Sequence, residues 1–422
     1  MVLINQGGTK LYDYLLSEKN MKFRDEIREF VKNAVPPSLL KKMDKDEVQY
    51  PSEWLYALAK QNLIGIRFPK EYGGRGLNWE SEIIAQEEIG VLGSSLACLF
   101  SLPSICGEAI NKFGTLEQKL NYLKPMCEGK KFTAEALTEP RGGSDFFGAT
   151  STAVKEGDYY ILNGEKRFVV GAEGADFFLV YAKTNPKAPT RDSLSLFIVD
   201  KSDAVDAAYI YGLLGTRGGG AGRIVFKDAE VPKENLILKE GDGGKIFYHM
   251  MVPERLTTAS GFLGLARACF QIATKYSTKR KAFGQIIKNF QAVHFMIADC
   301  ITYLDATRAI VFNTAKSIDA GAPPALQRRL VSESKKFSTK ACWKVINKSM
   351  QIMGGIGYTT VYPIERLLRD ARIGEIWTGT TEIMNLIIQH EYYKEILSEK
   401  WIGRDVELDA IDAEHEEEKH YG

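Results

Sequence analysis

Gln351–Thr381 reads QIMGGIGYTTVYPIERLLRDARIGEIWTGTT. A helical pattern over about 323–352 runs into it and another leaves it from Glu382, so Gly354-Gly355 and the WTGT tetrad, Trp377–Thr380, fall at interruptions.

Working outward, further helical patterns over about 246–279 and 290–318 precede this stretch, and their lengths suit an antiparallel bundle over 244–402. Residues 131–243 differ. Tyr159–Leu162, Phe177–Tyr181 and Leu194–Val199 are short β-rich runs parted by turn residues such as Asn163-Gly164 and Asn185-Pro186. Gly218–Gly222 reads as a loop, and the whole as a compact β domain. Residues 1–130 are predicted helical, with apolar positions at three- and four-residue spacing in Phe23–Val35 and Ser52–Leu63 and a glycine-rich turn at Tyr72–Leu77. Helix–β–helix order without βαβ alternation argues for an α+β chain of three domains and against a doubly wound sheet. Residues 403–422 form an acidic tail, with eight acids and one lysine from Asp405 on, expected to be solvated or disordered.

With 422 residues, 45% of them hydrophobic, the chain can bury a substantial core. Lysine and arginine total 55 against 54 acids, so no basic field calls for nucleic acid or a membrane surface. The six cysteines form no CxxC pair, which speaks against zinc and a disulfide framework and for small buried thiols in a reduced, cytoplasmic setting. The N-terminus lacks a signal-peptide pattern. The uncharged run Gly90–Gly107 holds Pro103 and four serines and is expected to be a buried core helix rather than a membrane span. No complete GxGxxG and no Walker lysine motif appears, so a dinucleotide has to bind without a Rossmann turn. The histidines suggest no metal site and no Ser-His-Asp triad; His249 and His294 read as plain helix residues.

TEPRGGSD (Thr138–Asp145) and the Gln351–Thr381 stretch together resemble the paired signatures of the acyl-CoA dehydrogenase family, and the likeness covers roughly residues 20–400. It implies an all-helical N-terminal domain, a central β-barrel-like domain and a C-terminal four-helix bundle, with FAD between β domain and bundle. It also implies an acyl-CoA substrate, an electron-transferring flavoprotein as acceptor and a homotetramer built as two dimers. Carried over residue by residue, Leu137, Thr138, Gly143 and Ser144 lie along the flavin ring and pyrophosphate, Ser144 also toward substrate. Phe168 offers an aromatic wall beside the flavin, and Val170 replaces a usual threonine, leaving only a backbone N–H for the flavin. Arg280, Phe283 and Gln291 match the segment that reaches the FAD of a neighbouring subunit, and Gln351, Gly354 and Gly355 would meet the same ADP moiety. Thr380 is assigned to the cofactor, and Arg255, Trp377 and Gly379 to the substrate. The charges of Glu365-Arg366 and Arg369-Asp370 are read as structural ion pairs.

Most of this family carries its catalytic glutamate at the position of Thr378. The resemblance instead points to the isovaleryl- and long-chain types, in which a glutamate followed by arginine on a bundle helix is the base; here that is Glu254-Arg255 after Pro253. The Thr378 backbone N–H keeps its expected role toward the thioester oxygen. Placement in a first helical turn after Pro253 would favour the Glu254 anion, whereas a desolvated site would raise its basicity. Three alternatives stay open: an acyl-CoA oxidase, a relative performing another dehydrogenation or an elimination on an unusual thioester, and a catalytically inert FAD-binding homologue.

Overall fold

The side chain of Ser17 accepts from the Asn20 amide at 3.2 Å and starts α1 (Glu18–Ala34), whose Phe23, Ile27 and Val31 recur every four residues on the buried face. This computed structural model describes residues 15–398, 403–404 and 406–409, so most of the acidic tail lies outside the described residues. α2 (Pro37–Asp44), α3 (Ser52–Lys60), α4 (Trp79–Gly90) and α5 (Ser94–Phe113) follow, then two short turns, α6 (Leu116–Gln118) and α7 (Lys124–Cys127). α5 is buried along nearly its whole length, which explains the uncharged run in the sequence. No described helix is long and apolar enough to cross a membrane.

The middle of the chain folds into β1 (Thr133–Ala136), β2 (Thr152–Glu156), β3 (Tyr159–Val169), β4 (Phe177–Lys183), β5 (Leu194–Asp200), β6 (Val205–Ile210), β7 (Gly222–Pro232) and β8 (Leu236–Ile237). Their order across the sheet is β6-β7-β3-β2-β4-β5-β8, with β1 also on β4. β1 and β2 share one edge of β4: β1 runs parallel to Phe177–Val180, and Thr152 of β2 stands opposite Lys183. Between them the chain leaves the sheet, and that excursion is the TEPRGGSD loop. Asn163-Gly164 is no turn. It lies within β3, where the register against β7 shifts between Leu162 and Gly164, and Gly164 has φ +146°. A bulge, like a turn, wants a residue without a Cβ, so the composition signal was right and the geometry different.

The bundle comprises α8 (Gly243–Ser277), α9 (Gln291–Asp319), α10 (Pro324–Met353), α11 (Ile364–Ala371) and α12 (Thr381–Ser398), with a hairpin of β9 (Lys281–Ala282) and β10 (Gln285–Ile286) after α8. α4 crosses α8 at backbone contact: a Cβ on Gly264 would stand 2.0 Å from the Glu87 carbonyl oxygen. Beside this crossing Arg267 and Arg308 pair with Glu87, and Arg28 and Arg267 with Glu88. Asp370 of α11 accepts the Ser94 amide at 2.9 Å and the Thr216 amide at 2.7 Å, and Arg369 pairs with Asp44 and Glu365. These charges are structural ties, as their sequence context suggested. α8 also corrects the placement of Glu254: Gly243 begins the helix, Pro253 sits inside it, and Glu254 lies beyond reach of the N-terminal amides. No helix-end charge holds its anion.

Candidate active site

The N-terminal helices, the sheet and the bundle enclose a cavity of about 1130 Å³. One wall is the loop between β1 and β2. Glu139 anchors it, accepting from Lys166 Nζ at 2.8 Å, Thr150 Oγ1 at 2.8 Å and the Ser151 amide at 3.1 Å. Burial alone would raise the Glu139 carboxyl, but the Lys166 ammonium outweighs it and holds the carboxyl at about 2. With its root fixed, the loop presents Leu137, Thr138, Gly143 and Ser144 to the cavity. The Thr138 carbonyl accepts from the Arg167 amide at 2.7 Å, joining this loop to the end of β3. There Phe168, with φ +56° and 57% exposure, lines the cavity with its ring 4.9 Å from that of Tyr211, and Val170 lines the same wall.

The opposite wall is the WTGT loop between α11 and α12. Thr378 has φ +52° and Gly379 φ +91°. Two cations hold this left-handed turn: Arg255 Nε donates to the Thr378 carbonyl at 3.4 Å, and Lys335 Nζ to the Gly379 carbonyl at 2.6 Å. Burial, with the Arg255 guanidinium nearby, brings the Lys335 ammonium down to about 7. Trp377 packs edge-on against Phe262 at 6.0 Å. Trp377 Nε1, Thr378 Oγ1 and Thr381 Oγ1 are buried without a protein partner, and the amides of Thr378, Gly379 and Thr380 donate to no acceptor among the described residues. Unpaired buried donors are costly, so this loop is built for a polar ligand.

Glu254 reaches the cavity from α8, beside Arg255, so the proposed base and the tetrad share one space. Arg280, Phe283, Gln291, Gln351, Gly354 and Gly355 do not reach it; all are exposed on the surface of this chain. Two features escaped the sequence reading, one behind the tetrad and one in the cavity wall. Lys335 sits in a Lys-Lys pair that reads as solvated. Glu135 lies in the apolar run Phe132–Leu137, where a lone acid was the available signal. His249 also has a partner, Glu108, at 2.8 Å, and all six cysteines are free.

Three family models cover most of the chain: acyl-CoA dehydrogenase N-terminal domain over 17–130, middle domain over 134–229 and C-terminal domain over 241–393. Among curated relatives, a short-chain specific acyl-CoA dehydrogenase of Clostridium acetobutylicum is 35% identical, over 90% of this chain and 100% of its own length. CarC, a subunit of the caffeyl-CoA reductase-Etf complex of Acetobacterium woodii, is 37% identical over 88% of this chain and 97% of its own. The solved butyryl-CoA dehydrogenase from Megasphaera elsdenii superposes with TM-score 0.85 at 29% identity, covering 90% of this chain and 99% of that one.

Proposed function

The chain belongs to the acyl-CoA dehydrogenase family, and from that premise we propose that it interconverts an acyl-CoA and its 2-enoyl-CoA, with Glu254 as the base. The family makes it a flavin-dependent oxidoreductase acting on CH–CH bonds, with FAD as cofactor. The residues present fit that cofactor: a roomy cavity, an aromatic ring in its lining, and unpaired hydroxyl, indole and amide donors in its wall. FAD, when bound, supplies the acceptor for the hydride leaving Cβ.

The observation that carries the assignment is Glu254 in the same cavity as the WTGT loop, from which Thr378 offers no carboxylate. Glu254 takes the α-proton. The Thr378 N–H serves the thioester oxygen on which enolate charge develops; a donor so placed is worth about 3–4 kcal/mol in the transition state. Arg255 and Lys335 fix that loop before substrate arrives, so little reorganisation is left for the reaction itself. Thr138 and Ser144, with the amides around Gly143, face the flavin from the other wall.

Arg280, Phe283, Gln291, Gln351 and Gly354-Gly355 we assign to the ADP half of FAD bound mainly by a neighbouring copy, within a homotetramer. Their exposure supports this, since they have no ligand to meet in their own cavity. An electron-transferring flavoprotein is the proposed redox partner, in line with the Etf complex to which CarC belongs. That relative also favours a second reading, in which the physiological direction is reduction of an enoyl-CoA and Glu254 returns the α-proton.

The test is anaerobic bleaching of the flavin by a panel of acyl-CoAs, with and without Glu254→Gln. Bleaching by one thioester in the parent, and at least a thousandfold slower in a variant that keeps its flavin, is the expected outcome (about 4 kcal/mol). Undiminished bleaching in E254Q would remove Glu254 from the role. Reoxidation of the reduced protein by the enoyl-CoA, faster than bleaching by the acyl-CoA, would select the reductive direction.

A further inference from the structure

Glu135 is the one ionisable residue of β1, and the reaction above gives it nothing to do. Its strand neighbours Ala134 and Ala136 pack into the sheet core, so alternation turns Thr133, Glu135 and Leu137 toward α5 and the cavity. There the Glu135 carboxyl lies within hydrogen-bonding reach of Glu254, and its Oε1 is buried with no donor among the described residues. Two groups that only accept hydrogen bonds when ionised therefore face each other.

The surrounding groups leave that pair uncompensated. From α5, Cys106 and Cys98 present thiols that burial keeps un-ionised, Cys98 at about 12. From β4, the neutral Tyr181 hydroxyl donates to Met250 Sδ at 3.1 Å. From β3, Lys166 is the nearest cation to Glu135, but its three ammonium protons are directed at Glu139 Oε1 (2.8 Å), the Tyr181 carbonyl (2.6 Å) and the Leu137 carbonyl (3.4 Å). On α8, Arg255 is one positive charge beside Glu254, turned toward the Thr378 carbonyl and Ser332 Oγ. From α10, the Lys335 ammonium also acts on Glu254, but it donates to the Gly379 carbonyl at 2.6 Å. Desolvated carboxylates in contact, with both nearby cations committed to carbonyl oxygens, do not both ionise at neutral pH. Burial first, and the Glu254 charge second, push Glu135 well above the usual carboxylate range.

We propose that Glu135 and Glu254 form a dyad sharing one proton, in which Glu135 is the positioning residue whose O–H holds the Glu254 carboxylate ready as base. The inference rests on Glu254 being that base. The proton balance is closed: the resting pair carries one proton and one negative charge. Accepting the α-proton makes it doubly protonated and neutral, and Glu135 keeps its own proton throughout. In the reducing direction the doubly protonated pair returns one proton to Cα. A charge-assisted O–H···O⁻ bond is among the stronger hydrogen bonds, which suits holding a side chain in one rotamer. The same bond favours the singly protonated pair over the doubly protonated one, which a kinetic pH profile can read.

Two measurements test the dyad. In the first, infrared difference spectra of the FAD-loaded protein, recorded without substrate between acid and alkaline pH, are compared for the parent, Glu135→Gln and Glu254→Gln. The expected result is a carboxylic-acid C=O band that persists at neutral pH in the parent and is lost in E135Q. In the second, kcat/KM for butyryl-CoA is followed against pH. Glu135→Leu, which cannot donate, is expected to move the acid limb up by about one unit, roughly a tenfold loss below it. Glu135→Gln, which still donates through its amide, is expected to recover most of that. A band that survives E135Q, or an acid limb unmoved in E135L, overturns the dyad. Turnover that survives E254Q removes the base and the dyad together; turnover lost in E254Q with parental profiles in both Glu135 variants removes the dyad alone.

Discussion

Lys335 and Arg255 pull two successive carbonyls of the tetrad toward the bundle, at 2.6 Å and 3.4 Å, and so orient the peptide planes on either side of Gly379. Replacing Lys335 by Met keeps the volume and removes that hold. Misplacement by about 1 Å of a group serving the transition state costs on the order of 10²-fold, so kcat for the best acyl-CoA should fall tenfold to hundredfold with KM little changed. Steady-state kinetics on protein of equal flavin content decides it; a change confined to KM would mean that the lysine serves binding only. Lys335 shows what sequence could not give at this scale. Lys335-Lys336 reads as a solvated pair, and only the phase of α10 against α8 and the tetrad places Lys335 inside, with Lys336 half-exposed. That Thr378 and Glu254 belong to one cavity was legible because each is singled out by a motif of adjacent residues. Glu135 was not, because its meaning depends on α8 arriving from more than a hundred residues downstream.

Helix and strand periodicity gave most elements. Phe23–Val35 became α1, Gly90–Gly107 became most of α5, and the three β-rich runs became β3, β4 and β5. What failed was local punctuation: Asn163-Gly164 marks a bulge because β7 is available to pair on both sides of it. Close approach was also invisible. Gly264 sits in an ordinary helical stretch, and nothing in its neighbours announces that α4 passes at backbone distance. A carbon added at Gly264 would stand 2.0 Å from the Glu87 carbonyl oxygen, a main-chain atom that cannot swing aside, so even Gly264→Ala must part the helices. Overpacking a tight core costs about 1–3 kcal/mol, and this substitution should reach the upper end. Gly212→Ala, with nothing within 4 Å of the added carbon, is the control and should leave the denaturation midpoint unchanged. Chemical denaturation of both variants makes the comparison; equal midpoints would mean that the crossing has slack.

Acid stability belongs to the whole molecule, because its buried carboxylates tie the parts together. Glu87 joins α4 to α8 and α9, Glu108 joins α5 to Arg67 and to His249 of α8, and Glu139 joins the site loop to β3. Burial opposes ionisation of each, yet the facing cations prevail and hold all three at about 2. A carboxyl whose value is depressed by folding stabilises the folded state above its unfolded value of about 4.5 and loses that contribution as pH falls toward 2. The melting temperature should therefore drop steeply between about pH 4.5 and 2, after a shallow dependence above it. Calorimetry across that range tests this, and a flat profile would show that the three pairs contribute no net stability.

The proposed assembly is the last matter at the scale of the whole chain, and Phe283 is the residue that argues for it. The residue is 95% exposed on a backbone at φ +48°, in the hairpin after α8, and the one aromatic ring beside it among the described residues is Phe290, edge-on at 6.1 Å. A non-glycine residue in the left-handed region costs about 1–3 kcal/mol, a strain that is retained where surroundings or function require it. Within one chain neither is present, whereas an adenine bound mainly by a second copy would give the ring a face to cover. Truncating a buried aromatic anchor of this kind costs about 2 kcal/mol, roughly thirtyfold in affinity. Phe283→Ala should thus release FAD on dilution at concentrations where the parent retains it, while bleaching by acyl-CoA in excess FAD persists. Sedimentation velocity read at the flavin absorbance supplies the measurement. Flavin loss that tracks dissociation of the oligomer is expected, and a fully flavinated monomer would place the whole cofactor site within one chain.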